Sequence, residues 1–317
     1  MAQWLETLII SEAIALTTHE AYRRIFDTHI VPYFKKKNLR LTELTPAHIQ
    51  QYVNDKLKPK DKSKGISANI IHKHLVDLSK CLDGAVTQNI IASNPVKRIV
   101  KSKKKKFTGA KRYNDKQIEQ LLECAKGDPL EIVIRLTLFY GLRRSEVLGL
   151  HWNAISFEDR TLAICHTALR VGNAIVLDDV TKNSESYTTF PISEKIMIEL
   201  RRWKAHQEAL KALQPNDYQD TGYVCTHADG RLITLEYVSH HFALLLAKKN
   251  MPHIRFHDLR HSSAGYLKRL GFDLKDIQVW LRHGNIQTTM DIYVDLDMEA
   301  KTNIANSLDA KFKAMDA

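Results

Sequence analysis

A strongly basic segment divides this sequence into two parts. Residues 97–112 (KRIVKSKKKKFTGAKR) hold nine lysines and arginines and no acidic residue. The 38 bases elsewhere nearly balance the 36 acids of the chain, so this segment carries almost all of the net charge of +11. A run of like charges does not enter a hydrophobic core, and it predicts an exposed linker between two folded regions. Such a linker is either a solvent-exposed segment, which could act as a basic localisation signal, or a segment that binds along a phosphate backbone.

The residues before the linker show helical signals only. Thr18, Thr45 and Ser67 are each placed to cap a helix. Apolar residues recur at helical spacing after Ser67, and Asn94 and Pro95 are expected to end that helix. Residues 1–96 are therefore predicted to form a small helical domain.

Residues 113–317 show a mixed pattern. TLAICHTALR and AIVLDDV flank a turn at residues 171–173 and predict a hairpin, SYTTFPI predicts a third strand, and Asp229 with Gly230 predicts a second small hairpin. These strands are too few for a doubly wound sheet, so the predicted fold class is mainly α with a small antiparallel β-sheet. Helices are expected at residues 115–126, 129–140, 143–151, 194–213, 235–249, 258–270, 274–282 and 286–293.

Several classes of protein are excluded by composition and pattern. The chain is 44% hydrophobic and 26% charged, which is typical of a folded protein rather than a disordered one. No apolar run approaches the ~20 residues of a membrane span, and the acidic N-terminal sequence does not resemble a secretory signal. The four cysteines form no CxxC or CxxH pair, so neither a zinc site nor a disulfide framework is expected, and a reducing cytoplasm fits.

Six side chains suited to nucleophilic, acid–base or anion-binding chemistry lie along residues 113–317. His257 and Arg260 are three residues apart and share one face of a predicted helix. Each of the six alone has an ordinary explanation, such as a cap, a solvated arginine or a half-buried tyrosine. Together they supply what metal-free cleavage of a phosphodiester requires: a hydroxyl nucleophile, two guanidinium groups and groups for proton transfer. The six are Arg143, Lys182, His257, Arg260, His283 and Tyr293.

The motifs around these residues resemble those of the tyrosine recombinases, the phage integrase family. G-L-R-x-S-E is followed by T-K, then H-x-L-R-H, then L-x-H-G-N-I-x-T-T-x-x-I-Y. The combination is specific because the elements occur in order, whereas any one alone would be weak. The region before the linker, with THIVPYF and ASNPV, resembles the core-type DNA-binding domain of that family, and residues 113–317 resemble its catalytic domain with a C-terminal tail.

The resemblance implies how the DNA phosphate is attacked and held. Tyr293 would attack a DNA phosphate and form a 3′-phosphotyrosyl bond. Arg143 and Arg260 would clamp the non-bridging oxygens, and Glu146, one helical turn beyond Arg143, would support the site. The phosphotyrosyl bond conserves the energy of the phosphodiester, so no metal, ATP or other cofactor is expected.

The same resemblance implies the groups that transfer protons. Lys182 would be the general acid for the leaving 5′-oxygen, although Lys195 lies nearby in the sequence and is an alternative. His257 would act as base or orient the phosphate. His283 would donate a further hydrogen bond to the phosphate.

The implied partner is double-stranded DNA at attachment sites, bound by a C-shaped clamp. Four copies of the chain would assemble on DNA, with accessory DNA-bending or directionality proteins as further candidates and no membrane partner. The expected location is the cytoplasm, at the nucleoid. The linker (residues 97–112) would follow the DNA backbone, with contacts from Lys101, Lys103, Lys104, Lys105, Lys106, Lys111 and Arg112.

Three features of the sequence either depart from the motifs of the family or allow more than one interpretation. Arg282 stands where a glycine often precedes the motif histidine, and it either contacts DNA or faces solvent. The chain begins almost at the core-type domain, which indicates a short family member or one trimmed at that end. The tail beyond Tyr293 has apolar residues at near-helical spacing and packs either on its own domain or on a neighbouring subunit.

Three other functions compete with a site-specific recombinase. A type IB topoisomerase uses similar residues but relaxes supercoils as a monomer. A DNA-binding regulator with an inactive site would retain the fold without the chemistry. A general basic scaffold would leave the ordered motifs unexplained. The ten-residue step from His283 to Tyr293 and the TTMDIY segment favour a recombinase of a mobile element.

Overall fold

The computed structural model describes residues 16–58, 65–100, 111–171, 174–179, 188–282 and 305–306. The described residues divide into two compact units: residues 16–100 with Val171 and Ala174 form the first, and the other described residues from 111 onwards form the second. Each unit has its own hydrophobic core. Among the described helices, none is both long enough and apolar enough to cross a lipid bilayer.

The first unit is helical, as predicted. Thr45 caps its third helix by accepting a hydrogen bond from the His48 backbone nitrogen (3.4 Å), and Ser67 caps the fourth through the Ile70 nitrogen (3.3 Å). Its core is formed by side chains from all of these helices. The helices are α1 (Leu16–Ile25), a π-helical turn (Phe26–Ile30), α2 (Val31–Lys36), α3 (Pro46–Leu57) and α4 (Ala68–Thr87), with 3₁₀ turns at Leu41–Glu43 and Pro95–Arg98.

Two expectations for this unit were wrong. Thr18 does not cap α1, because Leu16 and Thr17 are already helical and a cap must lie outside the helix. α4 ends at Thr87 rather than at Asn94, whose side chain instead accepts a hydrogen bond from the Val96 nitrogen (3.0 Å) and caps the following 3₁₀ turn.

The second unit contains seven described helices, all at predicted places. Ser193, Thr234 and Asp273 cap three of them through side-chain oxygens. The helix predicted at residues 286–293 lies outside the described residues. The seven are α5 (Asp115–Cys124), α6 (Glu131–Tyr140), α7 (Arg144–Leu148), α8 (Glu194–Leu213), α9 (Leu235–Lys248), α10 (Asp258–Arg269) and α11 (Leu274–Leu281).

Five short strands among the described residues form a three-stranded antiparallel sheet and a separate two-stranded sheet. They are β1 (Ile155–Ser156), β2 (Thr161–Ile164), β3 (His166–Val171), β4 (Ala174–Asp179) and β5 (Thr188–Pro191). A three-stranded sheet has the order β1–β2–β5, with Leu162 opposite Phe190, and β3 pairs with β4. The single strand predicted at residues 161–170 is interrupted at Cys165, and β1 was not predicted because two residues carry no periodic signal. The second predicted hairpin is a turn with one bridge, Thr226 to Leu232.

The predicted fold class, mainly α with a small antiparallel sheet, is confirmed. Helix α10 packs against α6 and α11, so the C-terminal ends of α6 and α11 lie close together. The indole nitrogen of Trp280 in α11 donates to the Phe139 carbonyl in α6 (3.2 Å) and helps to hold the two ends. The candidate site is built where they meet.

Candidate active site

The turn between α6 and α7 brings Arg143 to the start of a helix. The turn begins at Gly141, whose φ of 62° lies in the left-handed region that glycine adopts most readily. A Cβ at Gly141 would also collide with the side chain of Leu281 at the end of α11. Arg143 then takes the N-cap position of α7 with an extended backbone, and its side chain is 44% exposed. The turn therefore fixes the Arg143 backbone and leaves its guanidinium accessible.

The buried carboxylate of Glu146 holds Arg143 at two points. Its Oε2 accepts a hydrogen bond from the Arg143 backbone nitrogen and its Oε1 one from Arg143 Nη1, both at 2.7 Å. Burial alone would raise the pKa of Glu146, but the positive charges of Arg282 and Arg143 outweigh that effect and lower the pKa below its ordinary value. Glu146 is therefore ionised at neutral pH and orients Arg143.

Arg260 lies in α10 and is only 2% exposed. Its Nη1 donates to the carbonyl of Gly141 and its Nη2 to the carbonyl of Leu281. Burial and then the nearby charge of Arg143 lower the pKa of Arg260 to about 9, so the guanidinium is still protonated at neutral pH. Arg260 thus joins the ends of α6 and α11 and places a second cation beside Arg143.

Arg282 does not face solvent, and that part of its prediction was wrong. Its side chain is 8% exposed, and Nη2 donates to Glu146 Oε2 at 2.6 Å. The Arg282 carbonyl accepts a hydrogen bond from Arg143 Nη2 at 3.2 Å. The guanidinium groups of Arg143 and Arg282 therefore bond to a single carboxylate, and Arg260 lies near enough to interact with its charge. The four side chains carry a net formal charge of +2.

His257 begins α10 on the same side as this cluster. His257 as a whole is exposed, but its ring is partly desolvated. This desolvation, the charge of Arg260 and, more weakly, the charge of Arg143 lower the pKa of His257. Its ring meets that of His261 edge-on, with centroids 5.5 Å apart. Burial, and then His257, lower the pKa of His261 to about 4. A largely neutral imidazole at His257 is suited to accept a proton near neutral pH.

Part of the predicted site lies outside the described residues. Lys182, His283 and Tyr293 belong to that part, as do the linker lysines Lys101, Lys103, Lys104, Lys105 and Lys106. Of the two other predicted linker contacts, Lys111 is exposed and Arg112 is half-buried. Lys195, the alternative to Lys182, is exposed in the first turn of α8.

The described cluster has the charge and the hydrogen-bond donors that suit an anion. Among the described residues, no group of three or more His, Cys, Asp or Glu side chains is placed to hold a metal ion. The guanidinium cluster can hold an anion such as a phosphate through charge-assisted hydrogen bonds, and Arg143 has the exposed donors to do so.

Sequence reasoning missed the role of Arg282 in this cluster. Its partners Arg143 and Glu146 precede it by more than 130 positions, and no periodicity links them. The only local signal is that Arg282 follows the last apolar residue of α11, at the place where a glycine commonly ends a helix.

Family models match both parts of the chain. The model described as the phage integrase family matches residues 111–300. The model described as the phage integrase N-terminal SAM-like domain matches residues 1–57.

Similar proteins are found in bacteria. A tyrosine recombinase XerC-like protein of Caldanaerobacter subterraneus is 28% identical over 307 residues, which covers 90% of this chain and 77% of the relative. The ICEBs1 integrase of Bacillus subtilis is 26% identical over 298 residues, covering 92% of this chain and 77% of the relative.

Solved structures share the fold. The Tn1549 transposon integrase in complex with a circular intermediate DNA has a TM-score of 0.71 at 18% identity, covering 96% of this chain and 97% of that one. A lambda integrase tetramer bound to a Holliday junction has a TM-score of 0.64 at 16% identity, covering 92% of this chain and 75% of that one.

Proposed function

The chain belongs to the phage integrase family, whose members are tyrosine recombinases that cut and rejoin DNA, and from that premise we propose how its own residues divide this work. The observation that supports the proposal most is the cluster of Arg143, Arg260 and Arg282 around Glu146. It is a preorganised cationic site whose exposed member, Arg143, is oriented from two sides. Preorganised donors are the largest single source of stabilisation for charge that develops on oxygen.

Tyr293 is the nucleophile of the proposed reaction. Its phenolic oxygen attacks the scissile phosphorus, a bond from that oxygen to phosphorus forms, and the bond from phosphorus to the 5′-oxygen breaks. The product is a 3′-phosphotyrosyl link and a free 5′-hydroxyl. Attack by the 5′-hydroxyl of another strand reverses the step, so rejoining needs no ATP. Arg143 and Arg260 balance the negative charge that accumulates on the non-bridging oxygens.

Proton transfer accompanies both steps of this exchange. A free tyrosine has a pKa of about 10, so at neutral pH its hydroxyl needs a base to take up the proton. His257 takes the phenolic proton, and Lys182 gives a proton to the leaving 5′-oxygen, with Lys195 as the alternative donor. His283 adds a hydrogen bond to the phosphate.

The DNA-binding parts follow the two units of the chain. We assign residues 1–96 to a core-type DNA-binding domain, residues 97–112 to a basic linker, and residues 113–317 to the catalytic domain with its tail. The substrate is a double-stranded attachment site, which four copies of the chain bind together. Phosphate contacts set the register on the duplex and base contacts select its sequence.

The reaction serves integration or excision of a mobile element. The similarity to the ICEBs1 integrase, which covers 92% of this chain, supports this assignment. Accessory DNA-bending or directionality proteins would select between the two directions. The reaction takes place in the cytoplasm, at the nucleoid.

A plasmid assay separates this function from that of a topoisomerase. Duplexes selected by binding from a random-sequence library define the preferred site, and two copies are placed in one supercoiled plasmid. A recombinase inverts or deletes the segment between the copies and leaves a plasmid without the site supercoiled. Relaxation of the plasmid that lacks the site, without recombination of the other, would instead indicate a type IB topoisomerase.

Neutralising four linker lysines should weaken binding to all DNA sequences alike. If Lys103, Lys104, Lys105 and Lys106 each neutralise a phosphate, changing all four to glutamine should lower the slope of log Kd against log salt by up to about 3.6, about 0.9 for each phosphate that is no longer neutralised. Equilibrium titrations on selected and random duplexes at several salt concentrations measure this.

A matched control removes lysines whose charges are already balanced. Lys126 pairs with Glu123 (2.5 Å) and Lys211 with Asp220 (2.6 Å), so their change to glutamine should leave the slope within about one unit. An effect of the four linker changes on the selected duplex alone would contradict binding of this segment along the DNA backbone.

Deleting the tail after Asp295 should block assembly on DNA. If the tail docks on a neighbouring subunit, the shortened chain still binds one half-site but does not form the four-copy complex. Native gel electrophoresis and light scattering with a full duplex site measure the complex. Unchanged four-copy assembly would mean that the tail packs on its own domain.

A further inference from the structure

Arg282 is engaged through both its side chain and its backbone with the residues that begin α7. Its Nη2 donates to Glu146 Oε2 at 2.6 Å, and its carbonyl accepts from Arg143 Nη2 at 3.2 Å. Its guanidinium carbon also lies 5.3 Å from the centre of the Phe190 ring in β5. The side chain is therefore held by two contacts and the backbone by a third, although no step of the proposed reaction uses them.

The conformation of Arg282 shows that helix capping alone does not explain an arginine here. Its φ of 54° and ψ of 51° place it in the left-handed region, which glycine adopts at lower cost. Its backbone nitrogen donates to the carbonyls of Gln278 and Val279, and glycine would make the same bonds. The side-chain contacts are what distinguish arginine from glycine at this position.

The charge balance around Glu146 shows what the Arg282 side chain contributes. Glu146 is bonded to Arg143 at both its backbone and its guanidinium, so without Arg282 its charge would cancel that of Arg143. Arg260 alone would then remain unbalanced. With Arg282 present, the cluster keeps two positive charges and Glu146 keeps its second cationic partner.

We infer that the Arg282 side chain is a positioning group: its guanidinium shares the Glu146 carboxylate with Arg143 and balances its charge, so that the exposed Arg143 guanidinium keeps its orientation and its positive charge for the scissile phosphate. The effect on cleavage rests on the proposed function, whereas the link between Arg282 and Arg143 does not.

Single-turnover cleavage of a nicked duplex built on the selected site tests the effect. Arg282→Gln should slow adduct formation at saturating DNA by about 10- to 100-fold, because a misplaced Arg143 loses its alignment with the phosphate, while Kd changes by less than about threefold. Arg282→Lys keeps the charge and should recover most of the rate. Arg282→Gly suits the backbone and should be as slow as Arg282→Gln. Wild-type cleavage by Arg282→Gly would overturn the inference.

Coupling to its partners separates a positioning role from a direct DNA contact. In a chain with Arg143→Ala, adding Arg282→Gln should slow cleavage by less than about twofold, because the group being positioned is already absent. In a chain with Arg282→Gln, adding Glu146→Gln should recover part of the rate because the unbalanced carboxylate is removed. If Arg143→Ala and Arg282→Gln together slowed cleavage by the product of their separate effects, and DNA binding were also weaker, Arg282 would contact DNA directly. That result would overturn the inference.

A second arginine–glutamate–arginine cluster, built on the buried Glu131, provides the control for reduced stability. Glu131 accepts from Arg135 at 3.1 Å and from Arg202 at 2.5 Å, at the end of α6 opposite Gly141. The side chains of Arg135 and Glu131 are 12% and 5% exposed, close to the 8% and 6% of Arg282 and Glu146. Arg135→Gln should lower stability about as much as Arg282→Gln and leave cleavage unchanged. Equal slowing by both variants would overturn the inference.

Urea unfolding of the full chain tests the link without any activity. The double variant Arg143→Ala, Arg282→Gln is compared with the two single variants. Its change in the unfolding equilibrium constant should differ by at least about threefold from the product of the two single changes, because both residues bond to Glu146. A simple product would overturn the inference. A wild-type chain that forms no adduct would count against the proposed function, and the unfolding measurement would still decide on the link.

Discussion

Tyr293→Phe should bind DNA like the wild type and form no covalent adduct. The change removes one oxygen, the atom that we propose forms the phosphotyrosyl bond, while it preserves the size and apolar character of the ring. The rate of adduct formation should fall by at least about 10⁴-fold, as expected when a nucleophile is removed. Denaturing gels with nicked, end-labelled duplex measure the adduct, and a mobility shift measures binding.

Another tyrosine provides the control for this variant. Tyr266 lies in α10 of the same unit and is 41% exposed. Tyr266→Phe makes the same chemical change and should form adduct at the wild-type rate. Adduct retained by Tyr293→Phe, or absent from Tyr266→Phe instead, would show that the nucleophile is misassigned.

Arg143→Ala should cleave about 10²- to 10³-fold more slowly than the wild type, which corresponds to about 3–4 kcal/mol. Its guanidinium is the exposed member of the cationic cluster, and Glu146 and the Arg282 carbonyl hold it in place before DNA binds. Because the substitution removes an interaction that strengthens as charge develops on the phosphate, cleavage should suffer far more than binding. Single-turnover rates and binding titrations on the same duplex measure the two effects.

The adjacent arginine is the matched control. Arg144 donates instead to the Leu235 carbonyl at 2.9 Å, away from the cluster. Arg144→Ala should change the cleavage rate by less than about threefold. If Arg144→Ala were the slow variant, or if Arg143→Ala weakened binding and cleavage equally, Arg143 would not be the residue that holds the phosphate in the transition state.

Local signals predicted the helical framework of this chain well. Thr45 and Ser67 are caps that can be predicted directly from the sequence, because each is followed by a helix and its side chain bonds to a backbone nitrogen in the first turn. Thr18 failed because a residue that is a good cap can also lie inside a helix, and nothing in the local sequence separates the two cases.

The site was predictable only in part. The three-residue step from His257 to Arg260 and the position of Glu146 one turn after Arg143 are local, so the sequence indicates which side chains act together. The burial of Arg260 and the contact of Arg282 with Glu146 depend on how α6, α7, α10 and α11 pack. That packing joins residues more than one hundred positions apart, and no local pattern contains it.

The most direct test of this account is to map the residue that becomes joined to DNA. The wild-type chain is incubated with a nicked duplex that carries the selected site, the adduct is digested with trypsin and nuclease, and the modified peptide is sequenced by mass spectrometry. The account predicts a nucleotide 3′-phosphate on Tyr293 and on no other residue. A modification at any other side chain, or no adduct from a chain that binds the same duplex tightly, would contradict it.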